Sequence, residues 1–335
     1  MSRSLSSLQF GLQGTLDIPV AATWKWDGKG KLKFDDEIVV EEYLTGEPGG
    51  AVEDVHIRGT GSTLTLDDTP ISFQSLVYML NSSIKAFAGA TTAFDFAYPT
   101  STTLNAIAMN TWEVSLAGQM TALDYEIPNA FLPTWAIHGD ADANGGQIFF
   151  NGVVKGGKAV ASTKTNSLTF LAGREMMNLR AASVDFNAVG TAFGAGTIAT
   201  PTVGTVKAFS LEQQRMFLPG YYADARANKD FGVIEGGSDY ILKGKITALL
   251  NDTMIAQVAA ARAGTPITFQ MVVPGAATVK ADFRLPLVWT STPEILSEEK
   301  EGLVMVSFDY QSRYMRTTTA AGPAINITLA STTIT

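Results

Sequence analysis

The chain has no cysteine and only two histidines, His56 and His138, among its 335 residues. The absence of cysteine excludes disulfides, thiolate metal sites and thiol nucleophiles. Neither histidine belongs to an H-x-x-x-H spacing or to a Ser/His/Asp arrangement that the sequence supports, so we interpret both as structural. We therefore predict no catalytic residue, no metal site and no cofactor, and we expect the protein not to be an enzyme.

Charge and long apolar runs are also scarce. Asp, Glu, Lys and Arg make up 17% of the chain, and the formal net charge is −8. A net negative charge argues against a general nucleic-acid binder, because such proteins need a basic surface to displace counterions from phosphates. No hydrophobic run reaches the length of a membrane span, and the first ten residues lack the apolar core of a signal peptide. We expect a protein made in a cytoplasm, with no membrane partner.

A repeated pattern is the strongest signal that the sequence does contain. Residues 63–69, TLTLDDT, return as residues 247–253, TALLNDT, and share the pattern T-x-x-L-[D/N]-D-T. A second pattern, D-[Y/F]-x-[I/L]-P, occurs at 124–128 and 282–286. The shifts, 247 − 63 = 184 and 282 − 124 = 158, bracket half of the 335 residues. Matches in the same order at such shifts indicate a duplicated domain.

The predicted fold is mainly β, with two tandem β-sandwich or half-barrel domains that each carry one flanking α-helix. Alternating apolar residues predict strands on both sides of each T-x-x-L-[D/N]-D-T motif. We place the first domain at residues 1–160, with an insertion at about 86–110, and the second at 161–316. Residues 317–335 are predicted to form a C-terminal arm with no evident partner of its own.

Local signals predict where the helices begin and where strands are interrupted. Thr69 is the predicted N-cap of the first helix, with Pro70 at its first position, and the second helix is predicted to begin at Asp252. Pro128 and Pro286 lie inside strand patterns, which predicts a sheet edge or a bulge at both places. The structural residues of the repeated motifs are Asp68, Thr69, Asp252, Thr253, Pro128 and Pro286.

Two short segments each allow two interpretations. Residues 24–34 are predicted to form a hairpin around Asp27-Gly28, and its lysines form either a basic patch or a solvated face that discourages edge pairing, which we favour. Residues 140–145 have the D-x-D-x-N-G order that begins a calcium-binding loop, but the twelfth position is Asn151 rather than the bidentate Glu. We favour a hydrophilic hairpin tip there, with calcium as the alternative.

A duplicated strand–helix–strand β domain without cysteine, signal peptide or active site resembles the major tail tube protein of long-tailed, non-contractile bacteriophages. The likeness is to the tandem-domain kind, in which one chain carries two copies of the tube fold. It is carried by the two pairs of repeated motifs and by the long Gly/Pro loops at 44–54 and 218–238, and it covers nearly the whole chain.

The resemblance implies trimeric rings of pseudo-sixfold symmetry that stack into the tail tube of the virion, after assembly in the host cytoplasm. The implied partners are further copies of the chain, the tape-measure protein, the tail-tip and tail-terminator proteins, and double-stranded DNA that passes through the lumen without specific binding. Acidic residues would line such a lumen without holding DNA; the lumen-lining candidates are Glu37, Glu41 and Glu212. The same residues are equally well interpreted as ordinary solvent-facing strand positions. The ring-stacking loop candidates are Gly46, Glu47, Pro48, Tyr221, Tyr222 and Arg226.

The alternative function is a β-sandwich carbohydrate-binding or adhesin module of a virion or cell surface. Its basis is four aromatic residues that could stack on sugars, although the same residues could equally belong to a core or an interface. They are Trp24, Trp26, Tyr221 and Tyr222.

Overall fold

The computed structural model describes residues 7–40, 55–87, 91–99, 105–116, 123–188, 193, 198, 206–214, 217–220, 233–236, 240–297, 304–313 and 322–330. Several predicted sites lie outside these residues, and everything below concerns the described part of the chain. The predicted residues that fall outside are Glu41, Gly46, Glu47, Pro48, Tyr221, Tyr222 and Arg226.

The fold is mainly β, as predicted, with two α-helices in the described residues. The helices are α1 (Phe73–Asn81) and α2 (Asp252–Arg262). The strands are β1 (Ser7–Gln13), β2 (Trp24–Lys25), β3 (Gly30–Phe34), β4 (Glu37–Val40), β5 (Val55–Gly59), β6 (Ser62–Pro70), β7 (Ala93–Ala97), β8 (Met109–Leu116), β9 (Leu123–Asp140), β10 (Ile148–Gly156), β11 (Val160–Ala161), β12 (Ser183–Ala188), β13 (Val206–Gln214), β14 (Phe217–Gly220), β15 (Val233–Gly236), β16 (Ile241–Leu249), β17 (Ile267–Pro274), β18 (Lys280–Trp289), β19 (Glu294–Ser297), β20 (Val304–Ser312) and β21 (Ala324–Thr328).

Seventeen of these strands form one large antiparallel sheet with three regions, and the pairs β4–β5 and β14–β15 form two further two-stranded sheets. The central sheet has the order β3–β6–β10–β9–β13–β16–β20–β19. The first outer sheet has the order β2–β1–β8–β9–β11, and the second has the order β12–β17–β18–β21–β7. Strands β9 and β18 each leave an outer sheet and enter the central one, so the core lies between the outer and central sheets.

The same pairing order occurs twice along the chain. In the first half β1 pairs with β8 and β8 with β9, while β3 pairs with β6 and β6 with β10. In the second half β12 pairs with β17 and β17 with β18, while β13 pairs with β16 and β16 with β20. A helix follows β6 in one half and β16 in the other. Helix α1 begins after the first T-x-x-L-[D/N]-D-T motif, whereas α2 begins within the second.

Strand β9 is long because a bulge relieves the proline inside it. The chain remains one strand from Leu123 to Asp140 although Pro128 lies within it. The register with β8 shifts at Pro128 and Asn129, and Asn129 has a φ of 55°. The side chains of Gln13 and Asn129 bond to each other in the interior. The prediction of a bulge at Pro128 is confirmed.

The matching prediction at Pro286 is wrong. Pro286 lies opposite Thr268 in a ladder with no register shift, and β18 is paired on both sides. It falls in the gap between the β21 ladder, which ends at Arg284, and the β20 ladder, which begins at Leu287. A residue without a backbone N–H is tolerated there because no ladder partner faces that gap.

The first helix begins later than predicted. Thr69 and Pro70 are the last residues of β6, where Pro70 lies opposite Phe149. The N-cap is Ser72, whose side chain accepts a hydrogen bond from the Ser75 N–H at 3.1 Å. Every residue of α1 is buried, the polar ones included, so the helix is enclosed rather than amphipathic on a surface. Pairing with β10 keeps Thr69 and Pro70 in β6, although these two residues are typical of a helix N-terminus.

The second helix follows the prediction. It begins at Asp252, and the side chain of Asn251 caps it by accepting from the Met254 N–H at 3.0 Å. Gly264 follows the C-cap with a φ of 64°, a conformation that favours glycine. Unlike α1, this helix is largely exposed, and only Met254 and Gln257 are buried.

The predicted hairpin over residues 24–34 is wrong. Strand β2 pairs with β1 in the first outer sheet, whereas β3 pairs with β6 in the central sheet. The Asp27-Gly28 turn therefore carries the chain from one sheet to the other. A Cβ on Gly28 would lie 2.2 Å from the Thr69 hydroxyl oxygen, so close packing rather than a hairpin turn requires glycine.

The insertion and the C-terminal arm pair with each other. Strand β21, from the arm, lies between β18 and β7, and β7 comes from the insertion. The side chains of Ile325 and Ile327 are fully buried there. Two segments without a role predicted from the sequence, the insertion and the arm, thus complete the second outer sheet. Strand β7 from the first half pairs with β21, the last strand in the described residues.

Candidate functional site

The most informative feature is the seam at which the two halves share a sheet. Six residue pairs join β9 to β13, running from Ala208 opposite Asp140 to Gln213 opposite Trp135. The side chains on the core side of this seam are almost inaccessible, with Ile137 and Leu211 fully buried and Phe209 2% exposed. The seam therefore makes the central sheet continuous from β3 to β19.

A buried hydrogen-bond network stabilises this seam. The Gln213 side chain is fully buried; its Nε2 donates to the Ser83 hydroxyl at 2.8 Å, and its Oε1 accepts from the Tyr98 hydroxyl at 2.6 Å. The Trp135 indole N–H donates to the same Ser83 oxygen at 2.8 Å. Burial raises the pKa of Tyr98 well above its ordinary value, with a further contribution from Tyr240, so this hydroxyl stays a donor. Each polar atom named here has a partner, as a buried network requires.

The outward face of the central sheet is polar and charge-paired. Lys31 lies 4.0 Å from Asp67, and Lys33 lies 2.9 Å from Asp35. Lys155 lies 3.0 Å from the other oxygen of Asp35. The lysines of β3 therefore point along the sheet face towards carboxylates of the same chain. This fits the solvated-face interpretation better than a free basic patch.

Two carboxyls on this face have lowered pKa values. Partial burial tends to raise the pKa of Asp35, but hydrogen bonds from Thr63, Lys33 and Lys155 outweigh it and hold the pKa below 3.8. Burial likewise opposes ionisation of Asp68, and hydrogen bonds from Asn151 and His138 lower its pKa below the ordinary value. These groups are ionised at neutral pH, so the face carries paired rather than isolated charges.

Glu212 lies on the same face but is not an isolated negative charge. Its carboxylate lies 3.6 Å from the Lys243 ammonium and accepts a hydrogen bond from Gln214. Glu37 stands opposite Gly59 in the β4–β5 ladder, as Glu212 stands opposite Lys243. Gly59 and Lys243 are separated by 243 − 59 = 184 residues, which is also the separation of the two T-x-x-L-[D/N]-D-T motifs. Because their partners correspond, Glu37 and Glu212 occupy matching backbone positions in the two halves. The side chain of Glu37 lies outside the described part.

An open groove of about 360 Å³ crosses the seam on this face. Its lining includes Asp140, Ser210 and Lys245, together with His138 stacked on Phe149 at 5.8 Å between ring centres. His138 Nε2 lies 3.1 Å from Asp68, which supports the structural interpretation of this histidine. His56 lies in β5, and its side chain is outside the described part.

The 140–145 segment forms the tip of the β9–β10 hairpin. The Asp140 carboxylate accepts from the Asp142 N–H at 2.8 Å, and Asp142 lies 3.3 Å from the Lys207 ammonium. Residues Asn144–Gly146 form a single 3-10 turn. The two acidic side chains thus bond to their own turn and to β13, which favours the hairpin-tip interpretation.

The central sheet has two open edges in the part of the chain that the structure describes. Strand β3 pairs only with β6, and β19 pairs only with β20. Large apolar side chains are exposed at both edges, with Phe34 at 47% on β3 and Ile295 at 59% on β19. Open edges with exposed apolar side chains are a liability that a soluble monomer ordinarily avoids.

The aromatic residues proposed for sugar binding are not exposed platforms. Trp24 is half-buried in β2, and Trp26 is 3% exposed and packs edge-on against Trp112 and Phe150. Trp26 is therefore a core residue, which agrees with the core alternative rather than with sugar stacking at this position. Tyr221 and Tyr222 lie outside the described part.

Sequence reasoning missed the seam and the residues that stabilise it. Gln213 and Ser83 carry no motif, and their partners come from distant segments. The alternation of buried and half-buried residues from Pro133 to Asp140 was the available signal, because it predicts a strand with one buried face, although it does not identify the neighbouring strands.

Comparison with protein-family models and with curated proteins finds no match to this sequence. Within the described residues, no helix is both long and apolar enough to cross a membrane.

Proposed function

We propose that this chain is a structural virion protein of the tail-tube type, which assembles head to tail into rings that stack into a hollow conduit for DNA. The observation that carries the proposal is the central sheet, which runs through both halves and ends in two edges that no strand of the described residues covers. A sheet of this kind loses its edges when copies close into a ring.

The repeated pairing order supports two tandem tube-like domains in each chain. The ladders β3–β6–β10 and β13–β16–β20 have the same order, and each junction motif ends a central strand before a helix. The seam between β9 and β13 joins one unit to the next within the chain. A ring of three chains would then contain six similar units, which gives pseudo-sixfold symmetry.

The outward face of the central sheet is the proposed lumen wall. Its lysines are paired with carboxylates, as in Lys33–Asp35 and Lys243–Glu212. A wall of paired charges offers few free cations to phosphates, so passing DNA releases few counterions and is not held. The proposed lining is therefore charge-compensated rather than purely acidic. The tape-measure, tail-tip and terminator proteins are the proposed partners along this conduit and at its ends.

Sedimentation velocity of the purified chain over a range of concentration and salt tests the proposal. We expect the 35.6 kDa chain to form trimers and larger multiples of three as concentration rises. A single monomeric species at every concentration, also in the presence of tail-tip proteins, would refute it.

A carbohydrate-binding module remains the second candidate, and the groove at the seam is the observation that favours it. The groove combines the Phe149 ring with polar side chains such as Asp140 and Ser210, the combination with which proteins hold sugars. A monomer that retains glycans on an array, and loses them when Phe149 is replaced by alanine, would favour this function over the tube.

A further inference from the structure

The seam inside the chain predicts how one copy meets the next. Building on the proposed function, we infer that the β3–β4 edge of one copy pairs with the β19 edge of the next, as β13 pairs with β9 within the chain. The partner is therefore a second copy of this chain, bound through two different edges.

The first step is that β3 and β13 occupy equivalent positions. Phe34 lies opposite Ser62, the residue directly before the first T-x-x-L-[D/N]-D-T motif. Phe209 lies opposite Ile246, the residue directly before the second motif. The two phenylalanines thus have the same place in two matching ladders.

The surroundings of these phenylalanines match as well. The Phe34 ring lies 5.2 Å from the Tyr125 ring, and the Phe209 ring lies 6.0 Å from the Phe283 ring. Tyr125 and Phe283 are the second residues of the two D-[Y/F]-x-[I/L]-P motifs. The aromatic pair is therefore repeated, one copy in each half.

The two phenylalanines differ in exposure because only one has a neighbouring strand. Phe209 lies opposite Gly139 of β9 and is 2% exposed, whereas Phe34 has no strand beyond it in the described residues and is 47% exposed. Covering an aromatic ring of this size contributes on the order of 1 kcal/mol or more. Phe34 therefore lacks, in the described residues, the neighbouring strand that β9 provides for Phe209.

The second step is that β19 takes the place of β9 at the other end of the sheet. Val153 of β10 lies opposite Thr65, the third residue of the first T-x-x-L-[D/N]-D-T motif. Met305 of β20 lies opposite Leu249, the third residue of the second motif, so Val153 and Met305 occupy equivalent positions. Beyond them, Val153 faces Thr134 of β9 and Met305 faces Leu296 of β19.

The free edge of β19 is thus the counterpart of the β9 edge that pairs with β13. Ile295 lies next to Leu296, on the core side opposite the buried Val306, yet it is 59% exposed. Ile295 is exposed because no strand of the described residues pairs with the outer edge of β19.

The edge that receives β19 is continuous across β3 and β4. The Asp35 N–H donates to the Gly61 carbonyl at 2.9 Å, so the chain between β3 and β4 stays beside the chain between β5 and β6. On the side away from β5 and β6, neither β3 nor β4 has a strand partner in the described residues. Backbone groups on that side are free to form a ladder with another copy.

Substitutions at the two edges test this inference. Phe34→Lys places a charge at the β3 edge, and Ile295→Lys does so at the β19 edge. Ile18→Lys is the matched control, because Ile18 is also 59% exposed but lies between β1 and β2, away from both edges. Circular dichroism melting of each variant confirms that it is folded, and sedimentation velocity gives its mass.

Two unlike edges predict a specific mixing result. Each edge variant alone stays at 35.6 kDa, whereas an equimolar mixture forms a complex of twice that mass, because each variant supplies the edge that the other lacks. The wild-type chain and Ile18→Lys continue to larger assemblies.

The other outcomes separate this inference from the proposed function. If the wild type assembles and both edge variants assemble equally well, the edge assignment is wrong and the tube function stands. An edge variant that dimerises alone shows pairing between like edges, and a folded mixture that stays monomeric shows that the edges do not meet; both overturn the inference. A wild type that never assembles overturns the inference together with the proposed function.

Discussion

The Tyr98 hydroxyl donates a hydrogen bond to the side-chain oxygen of Gln213 at 2.6 Å, across the boundary between the two halves of the chain. Tyr98 is 2% exposed and Gln213 is fully buried. Tyr98 directly follows β7, and its backbone N–H donates to the Pro323 carbonyl at 2.9 Å, just before β21. One side-chain contact thus connects the seam of the central sheet with the pairing that completes the second outer sheet.

Replacing Gln213 with alanine should destabilise the chain. The substitution leaves the buried Tyr98 and Ser83 hydroxyls without this partner, at a cost of roughly 1–3 kcal/mol for each polar group that finds no other. Urea unfolding measures the loss. Gln214→Ala is the control, because it removes the same side chain from the outward face of the same strand. Equal stability of the two variants would show that the network does not stabilise the seam.

Truncating the apolar residues of β21 should also destabilise the fold. Ile325 and Ile327 are both fully buried, and each isoleucine-to-alanine change in a core costs about 2–5 kcal/mol. Asn326→Ala, on the opposite face of the same strand, should have a much smaller effect. Thermal unfolding distinguishes the variants, and an unchanged melting temperature for Ile325→Ala would contradict the buried position of the C-terminal arm.

Asp35 should contribute a stability that disappears in acid. Its pKa is lowered from 3.8 in the folded state, so its contribution is fully present above about pH 4 and is lost as the pH falls through the folded pKa. Asp35→Asn should therefore be less stable than the wild type at pH 7, by about 0.2–1 kcal/mol for each partly exposed ion pair lost. The difference should shrink as the pH falls below 3.8.

Denaturant unfolding of both proteins between pH 7 and pH 3 measures this change. Asp36→Asn is the control, because Asp36 is the exposed neighbour of Asp35 in the sequence. A difference between wild type and Asp35→Asn that grows as the pH falls would mean that Asp35 is not stabilised as the carboxylate.

Gly244 is predicted to tolerate no side chain. A Cβ at this position would lie 1.9 Å from the Ser210 carbonyl oxygen and 2.5 Å from the Tyr310 hydroxyl oxygen. The Tyr310 hydroxyl donates to that same Ser210 carbonyl at 2.7 Å, so Gly244→Ala would disturb both the β13–β16 ladder and this bond. We expect a clear fall in melting temperature. Gly145→Ala meets nothing within 4 Å but has a φ of 69°, so it reports the cost of backbone strain alone.

Much of the strand pattern could be predicted because one face of most strands is buried. Alternation predicts strands next to the T-x-x-L-[D/N]-D-T motifs, where β6 and β16 lie, and the start of α2 at Asp252 was predicted correctly. Thr69-Pro70 carries equally good capping chemistry, yet pairing with β10 kept it in a strand. Local signals failed where a cross-strand partner from a distant segment competed with them.

The site was less predictable for the same reason. Alternation indicates that β9 and β13 have a buried face, but not that they pair with each other. The pairing of β7 with β21 joins residues more than two hundred positions apart. Neither strand contains a motif from which its partner could be identified. The acidity of Glu212 was visible in the sequence, whereas its neutralising neighbour Lys243 became evident only from the β13–β16 register.

Negative-stain electron microscopy of the purified chain, over a range of concentration and salt, tests the tube assignment most directly. We predict hollow tubes or stacked rings whose averaged end views have threefold symmetry and six similar lobes. Dispersed single particles under all conditions, including after addition of tail-tip proteins, would contradict it.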